Sequence, residues 1–204
     1  MNTITTLAQL EAIYVTPPAA PAMVKEVDRL IPAYQKLIAL SPFVALATSG
    51  PGGLDCSPRG DRGQVVRVLD EKTLALPDRR GNNRIDTLRN IITDPRVALL
   101  FFIPGHSTMF RVNGTASLTT DSELCNSFEM EGKLPRSVII IKVQTAYTQC
   151  ARAVLRAGLW DAANHVAKDA VPSNGEILEF ISKGEIDGQA YNAGWAERAK
   201  NSMW

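Results

Sequence analysis

The stretch FVALATSGPGG, residues 43–53, shows the pattern on which the fold prediction rests. A short apolar run ends in a cluster of Ser, Gly and Pro, and runs of this length between turn signals are typical of buried β-strands. The pattern recurs, and it predicts further strands at 54–58, 64–69, 73–77, 97–103, 108–119 and 137–146. Strands at such short intervals, with few helices between them, indicate a barrel or a sandwich. We therefore expect a mainly β (α+β) protein with flanking helices.

Helical spacing appears in three parts of the chain. Apolar residues between 23 and 38 predict an amphipathic helix, which Pro32 should kink or divide. A second helix is predicted at 84–93, and capping boxes at 120–123 and 173–176 predict the starts of two more. In each box, the first hydroxyl accepts from a backbone amide and the glutamate reaches back.

The distribution of proline suggests three sections. Three prolines between residues 17 and 21 favour an extended arm over a packed helix. We predict an N-terminal arm at 1–21, a core domain with its N-terminal helix at 22–160, and a C-terminal helical extension at 161–204.

Composition excludes several functional classes. The 204 residues include 22 Lys and Arg against 21 Asp and Glu, a formal net charge of +1, which argues against a nucleic-acid partner or an acidic membrane surface. Three widely spaced cysteines and two histidines predict neither a disulfide framework nor a metal site. No apolar run approaches the roughly 20 residues that cross a bilayer. We expect a soluble, cytoplasmic protein with no membrane partner.

The loop PDRRGNNR, residues 77–84, lies between a predicted strand end and a predicted helix start. Four arginines occur between positions 79 and 89, with Asp86 as the single acid. Guanidinium groups, amide side chains and the free N–H groups of a helix N-terminus all suit a phosphate. A solvated loop with surface arginines agrees equally well with this spacing.

A second unusual stretch is DCSPRGD, residues 55–61. Pro58 removes a donor from the strand ladder, which predicts an edge strand or a bulge, where a ligand can approach the backbone. The alternative is a hairpin end with a surface pair between Arg59 and Asp61.

Six motifs in order carry a resemblance to a known family. They are Ser41-Pro42-Phe43, Ser57-Pro58-Arg59-Gly60-Asp61, Leu76-Pro77-Asp78-Arg79, Gly81-Asn82-Asn83-Arg84, Asp94-Pro95-Arg96-Val97 and Arg111-Val112-Asn113-Gly114. The series resembles the pyridoxamine 5'-phosphate oxidase-like superfamily and, within it, the branch of FMN-dependent enzymes. The similarity runs from about residue 31 to residue 160.

The resemblance implies a six-stranded split β-barrel that forms a homodimer and holds FMN in a cleft between the subunits. It places the phosphate at Asn83 and Arg84, with Arg80 and Asn82 close by. Ser57 and Arg59 would flank the flavin, and residues 76–78 would contact its ring or ribityl chain. The implied cofactor-binding residues are Ser57, Arg59, Asp61, Leu76, Pro77, Asp78, Arg80, Asn82, Asn83 and Arg84.

The function that the resemblance implies is an FMN-dependent oxidoreductase that passes hydride or electrons to a small organic acceptor. The flavin performs the redox chemistry, which agrees with the lack of any catalytic side-chain pattern. Residues 196–204 lack the Arg-x-His-Asp type motif of the vitamin B6 oxidases, so we do not expect that activity. The alternative is a non-catalytic binding or storage protein for flavin, haem or deazaflavin, in which haem would need His106 or His165 as its ligand.

Overall fold

The computed structural model describes residues 2–204, in which seven strands form one antiparallel sheet. The strands are β1 (Phe43–Gly50), β2 (Gly53–Gly60), β3 (Arg67–Asp70), β4 (Thr73–Pro77), β5 (Arg96–Phe102), β6 (Met109–Thr119) and β7 (Val138–Gln149). Their order across the sheet is β2-β1-β5-β6-β7-β4-β3.

This architecture, a mostly antiparallel sheet with flanking helices, is that of a split barrel, and it confirms the predicted fold class. The sheet has seven strands where the resemblance implied six. The difference involves β3, a short strand at one edge that pairs with β4 alone.

Within residues 2–204, helices lie before, between and after the strands. They are α1 (Leu7–Glu11), α2 (Ala20–Val24), α3 (Pro32–Ala39), α4 (Asp86–Thr93), α5 (Ser122–Asn126), α6 (Arg152–Ala157), α7 (Asn174–Ile181), α8 (Gly188–Ala193) and α9 (Trp195–Ser202), with 3-10 turns at Ala162–Asn164 and Lys168–Ala170. No helix within residues 2–204 is long and apolar enough to span a bilayer.

The core lies on one face of the sheet because side chains alternate between the two faces of a strand. Inward residues of β1, β5, β6 and β7 are fully buried, and Tyr34 and Ile38 of α3 close this core from outside. The largest buried side chains include Phe101, Phe110, Leu46, Leu99, Ile139 and Ile141.

The structure confirms some local predictions and corrects others. Pro32 divides the predicted helix, and α3 begins at this proline, because its missing N–H would be unpaired at a first helical position in any case. Ser173 caps α7 in the predicted box. The box at 120–123 was wrong: Asp121 caps α5 by accepting a hydrogen bond from the amide of Leu124, so the helix begins one residue later than the pattern implied.

The N-terminal arm is exposed along its length, and it contains a short helix that the prolines did not predict. Thr6 accepts a hydrogen bond from the amide of Gln9, and the Gln9 side chain reaches back to the backbone of Thr6. This capping box starts α1 locally, without burial of any of its residues.

Candidate functional site

A cavity of about 700 Å³ lies between β2, the start of α4 and the loop that joins β4 to α4. Alternation along β2 leaves Asp55, Ser57 and Arg59 half-buried on the cavity side, whereas Leu54 and Cys56 face outward. As predicted from Pro58, β2 is an edge strand. A ligand can therefore reach its side chains without breaking a strand ladder.

A small polar network forms one end of the cavity. The Thr87 hydroxyl donates to an Asp55 carboxylate oxygen at 2.6 Å, and the Ser57 hydroxyl lies 3.0 Å from the same oxygen. Thr87 is buried near the start of α4, so the network joins this helix to β2. It presents hydroxyl groups of fixed position to the cavity.

Arg59 lines the cavity from the same strand. Its Nε is buried and has no hydrogen-bond partner within the described chain. An unsatisfied donor of a charged group carries a substantial desolvation cost, of about 1–3 kcal/mol or more. A ligand that supplies an acceptor at this position would remove that cost.

The loop before α4 has an unusual backbone. Asn83 and Ile85 have φ values of 64° and 54°, in the left-handed region that a β-branched residue such as Ile85 rarely adopts. The Asn82 side chain accepts a hydrogen bond from the backbone amide of Arg84 at 3.1 Å. No side chain caps the N-terminus of α4, so its first N–H groups remain available at the cavity wall.

Positive charge dominates the cavity lining. Cationic side chains outnumber carboxylates by six to three: Arg59, Arg79, Arg80, Arg84, Lys133 and Arg136 against Asp55, Asp78 and Asp86. Some of this charge is already paired, since Arg84 donates to Asp86 at 2.8 Å and Arg79 pairs at 2.7 Å with Asp61, a carboxylate outside the lining. The surplus favours an anionic ligand.

Asp78 is a partly buried carboxyl group in the cavity lining. Burial raises its pKa above the usual value, and the nearby guanidinium groups of Arg59 and Arg136 partly offset this rise. Because desolvation dominates, the carboxyl can retain a proton at a higher pH than an exposed aspartate.

Beyond the other end of β2, the cavity lining meets a buried ion pair and an indole ring. Arg79 donates to Asp61 through Nε at 2.9 Å and Nη2 at 2.7 Å, and to the Phe128 carbonyl oxygen at 2.7 Å. The ring of Trp204 lines the cavity here, with the guanidinium carbons of Arg62 and Arg79 each 5.4 Å from a ring centroid.

Most residues predicted for the site meet in this cavity. The lining includes Ser57, Arg59, Asp78, Arg80, Asn82, Asn83 and Arg84. Three others lie elsewhere: Leu76 and Pro77 are buried within β4, and Asp61 pairs with Arg79 instead of Arg59. The surface pair between Arg59 and Asp61, considered as the alternative, is therefore not formed.

Other lining residues were not predicted for the site, and they come from distant parts of the chain. Thr87 carried no signal beyond its place after the loop at residues 77–84, which we call the arginine loop, while Lys133 and Arg136 follow α5 and Trp204 follows α9. Arg136 donates to the Asn83 side chain at 3.3 Å, a contact across more than fifty residues. Only the tertiary fold brings these groups together.

The histidines and cysteines do not contribute to this site. Neither His106 nor His165 lines the cavity. Among the described residues, 2–204, no cluster of His, Cys, Asp and Glu could hold a metal ion.

Comparison with known proteins then places the chain in a family. The family model described as pyridoxamine 5'-phosphate oxidase matches residues 30–150, which is more than half of the chain and spans β1 to β7. The chain belongs to the pyridoxamine 5'-phosphate oxidase family. Proteins of this family typically bind flavin. No curated protein matches the sequence.

Several solved structures are similar to this pyridoxamine 5'-phosphate oxidase family member. HupZ of Group A Streptococcus is 20% identical, over 56% of this chain and 89% of HupZ, with a TM-score of 0.47. General stress protein 26 of Bacillus anthracis is 18% identical, over 55% and 88% of the two chains, with a TM-score of 0.43. A FAD-binding protein of Mesorhizobium loti is 13% identical, over 60% and 97%, with a TM-score of 0.39.

Proposed function

We propose that this protein is an FMN-binding flavoprotein and that the cavity beside β2 holds the cofactor. The observation that carries this proposal is the buried, unpartnered Nε of Arg59, which needs an acceptor from a ligand. Family membership supplies the class of ligand, since the family typically binds flavin. The surplus of cationic side chains favours the phosphorylated form of that flavin.

The phosphate of FMN would bind at the loop before α4. Arg80, Asn83 and Arg84 line the cavity there, and the first turn of α4, which has no side-chain cap, lines the same cavity. Helix N-termini and guanidinium groups are well suited to a phosphate dianion. Each charge-assisted hydrogen bond contributes about 1.5–3 kcal/mol, so two or three of them would determine the position of the phosphate.

The rest of the cofactor would lie along β2. Ser57 and Thr87 offer hydroxyl groups that suit a polyhydroxylated chain, and Arg59 offers its free Nε. Leu76 and Pro77 are buried in the strand that precedes Asp78, so they would position this carboxyl group without touching the cofactor themselves.

We propose an oxidoreductase function for the loaded protein. FMN supplies hydride and electron transfer when bound, and the protein binds it, orients it and restricts access of water. Asp78 is the group that can hold a proton beside the site, because burial raises its pKa. A small organic acceptor would receive the hydride or electrons.

A second copy of the chain is the partner that the sheet surface favours. The outward face of β2, β1 and β5 is apolar and continuous across the strand registers Ala47↔Cys56, Ala45↔Pro58 and Phe43↔Phe102. Leu54 is 89% exposed and Phe43 42% exposed on this face. Such a patch is typical of an interface, so we propose a homodimer, which a solution mass near 22.2 kDa would contradict.

Titration of the purified protein with FMN and with riboflavin tests the cofactor proposal. Arg59→Met keeps an unbranched side chain of similar length but removes the donor, so FMN affinity should fall about 10- to 150-fold, the equivalent of about 1.5–3 kcal/mol. Arg84→Ala should weaken FMN by a similar factor and leave riboflavin unchanged, because riboflavin has no phosphate. The matched control is Arg156→Ala, on α6 away from the cavity.

The outcome separates binding from turnover. A wild-type protein that takes up no FMN, or an Arg59→Met variant that binds it as tightly as the wild type, contradicts the cofactor proposal. Anaerobic addition of NADH or NADPH to the FMN-loaded protein, followed by a quinone or nitroaromatic acceptor, tests the oxidoreductase function. If NADH, NADPH and a reduced deazaflavin all fail to reduce the bound flavin, the protein is a flavin-binding protein without turnover.

A further inference from the structure

The C-terminal helices α7, α8 and α9 pack against one another, and a residue that follows them lines the cavity. Helices α7 and α8 pack closely because Gly175 and Gly188 have no side chains at their contact. Helix α9 continues from α8, and the carbonyl oxygen of Asn201 at its end accepts a hydrogen bond from Arg80 at 3.4 Å. Trp204 follows and lines the cavity.

The two ends of the cavity differ in chemistry. Asp55 and Asp61 lie six residues apart on β2 and beyond its end, which corresponds to about 20 Å at the usual rise of a strand. The end near Asp55 meets the start of α4 and Arg84, whereas Asp61 binds Arg79 at the end where Trp204 lies. A ligand with an anionic group at one end and a flat aromatic system at the other matches this division.

The position of the indole is set by groups that need no ligand. Arg79 is held by the buried carboxylate of Asp61, and Arg62 forms an exposed pair with Glu131 at 2.7 Å, so both guanidinium groups near the ring have partners within the chain. Cation–π attraction then holds the ring at the cavity wall. Because the indole is already in place, little conformational entropy is lost at this side chain when a ligand binds.

We propose that Trp204 is a specificity-determining residue, which contacts the ring system of the bound flavin while the arginine loop holds its phosphate. This inference rests on the proposed function, since it assumes that a flavin occupies the cavity. The C-terminal unit thereby selects ligands with a planar aromatic system over aliphatic phosphates, which the cationic groups alone would accept. Arg80 connects the two ends, because it lines the phosphate side and holds the end of α9.

The test is the emission of bound FMN in two variants at Trp204. An indole in contact with a flavin quenches its fluorescence by electron transfer, a process that fails at longer range. Trp204→Ala should make bound FMN several times brighter and weaken its binding about tenfold, as expected for the loss of one stacking contact. Trp204→Phe should retain most of the affinity but show the brighter emission. It also guards against loss of folding in the alanine variant.

Trp195→Phe is the matched control, because this indole lies at the start of α9 and does not line the cavity. It should change neither emission nor affinity. Equal emission and affinity in wild type and Trp204→Ala, with both proteins binding FMN, overturns the role of Trp204 and leaves the cofactor proposal intact. Failure of the wild type to bind FMN refutes the proposed function and, with it, the inference.

Discussion

Replacing Asp61 with asparagine removes the charge that neutralises Arg79 and keeps the shape of the side chain. Asp61 is 4% exposed and Arg79 14% exposed, so this ion pair is one of the least solvated in the described chain. One carboxylate oxygen of Asp61 accepts from Arg79 and the other from the backbone amide of Arg62, so in either orientation the NH2 group of an asparagine would face a donor. The charge of Arg79 would then remain buried without a carboxylate, although the Phe128 carbonyl oxygen still accepts from it.

The expected cost follows from that burial. Removal of one partner from a buried ion pair costs about 3–5 kcal/mol. We expect about 3 kcal/mol, the lower limit, because Arg79 lines the cavity and water can reach part of it. For a chain of this length, about 2–4 °C is lost for each kcal/mol, so the melting temperature should fall by about 6–12 °C.

Urea unfolding followed by circular dichroism, together with calorimetry, measures this change. Asp94→Asn is the matched control, because Asp94 also pairs with an arginine at 2.6 Å, but this arginine, Arg96, is 77% exposed. Exposed pairs contribute little, so the control should unfold almost like the wild type. Equal stability of the Asp61→Asn and Asp94→Asn variants would refute the argument that burial makes the first pair important.

Two further predictions concern the sheet and the cavity. A Cβ on Gly114 would lie 2.1 Å from a backbone carbonyl oxygen of β7. Gly114→Ala should therefore lower the free energy of unfolding, measured in urea, by about 3 kcal/mol. Gly52→Ala is the control, and it should change this free energy very little because the space around Gly52 is open. Burial raises the pKa of Asp78 above its usual 3.8, so its contribution to stability is complete below that value and is lost as pH rises through the raised pKa. Unfolding measured across this range should show the decline in wild type and a flatter profile in Asp78→Asn; identical profiles would contradict the burial argument.

Local sequence signals predicted the sheet well, because the apolar runs and turn residues that indicate a strand occur within a few residues of one another. The predicted strand at 73–77 matches β4 residue for residue, and β6 and β7 are correct at their centres. Asp121 shows the limit of such signals, since two adjacent capping residues compete for the start of α5 and the pattern does not decide between them. The partner of Asp61 was undetermined for a similar reason, because Arg59 is close in sequence while Arg79 is close in space.

The sequence by itself determined a mainly β chain, an edge or bulge at Pro58 and an arginine- and asparagine-rich loop before α4, because each depends on backbone preferences and spacing over a few residues. Only the tertiary structure decided that Arg136 and Trp204 share a cavity with that loop, and that Arg59 keeps a buried donor without a partner. Burial and the meeting of distant segments depend on the packing of the whole chain, which local patterns do not contain.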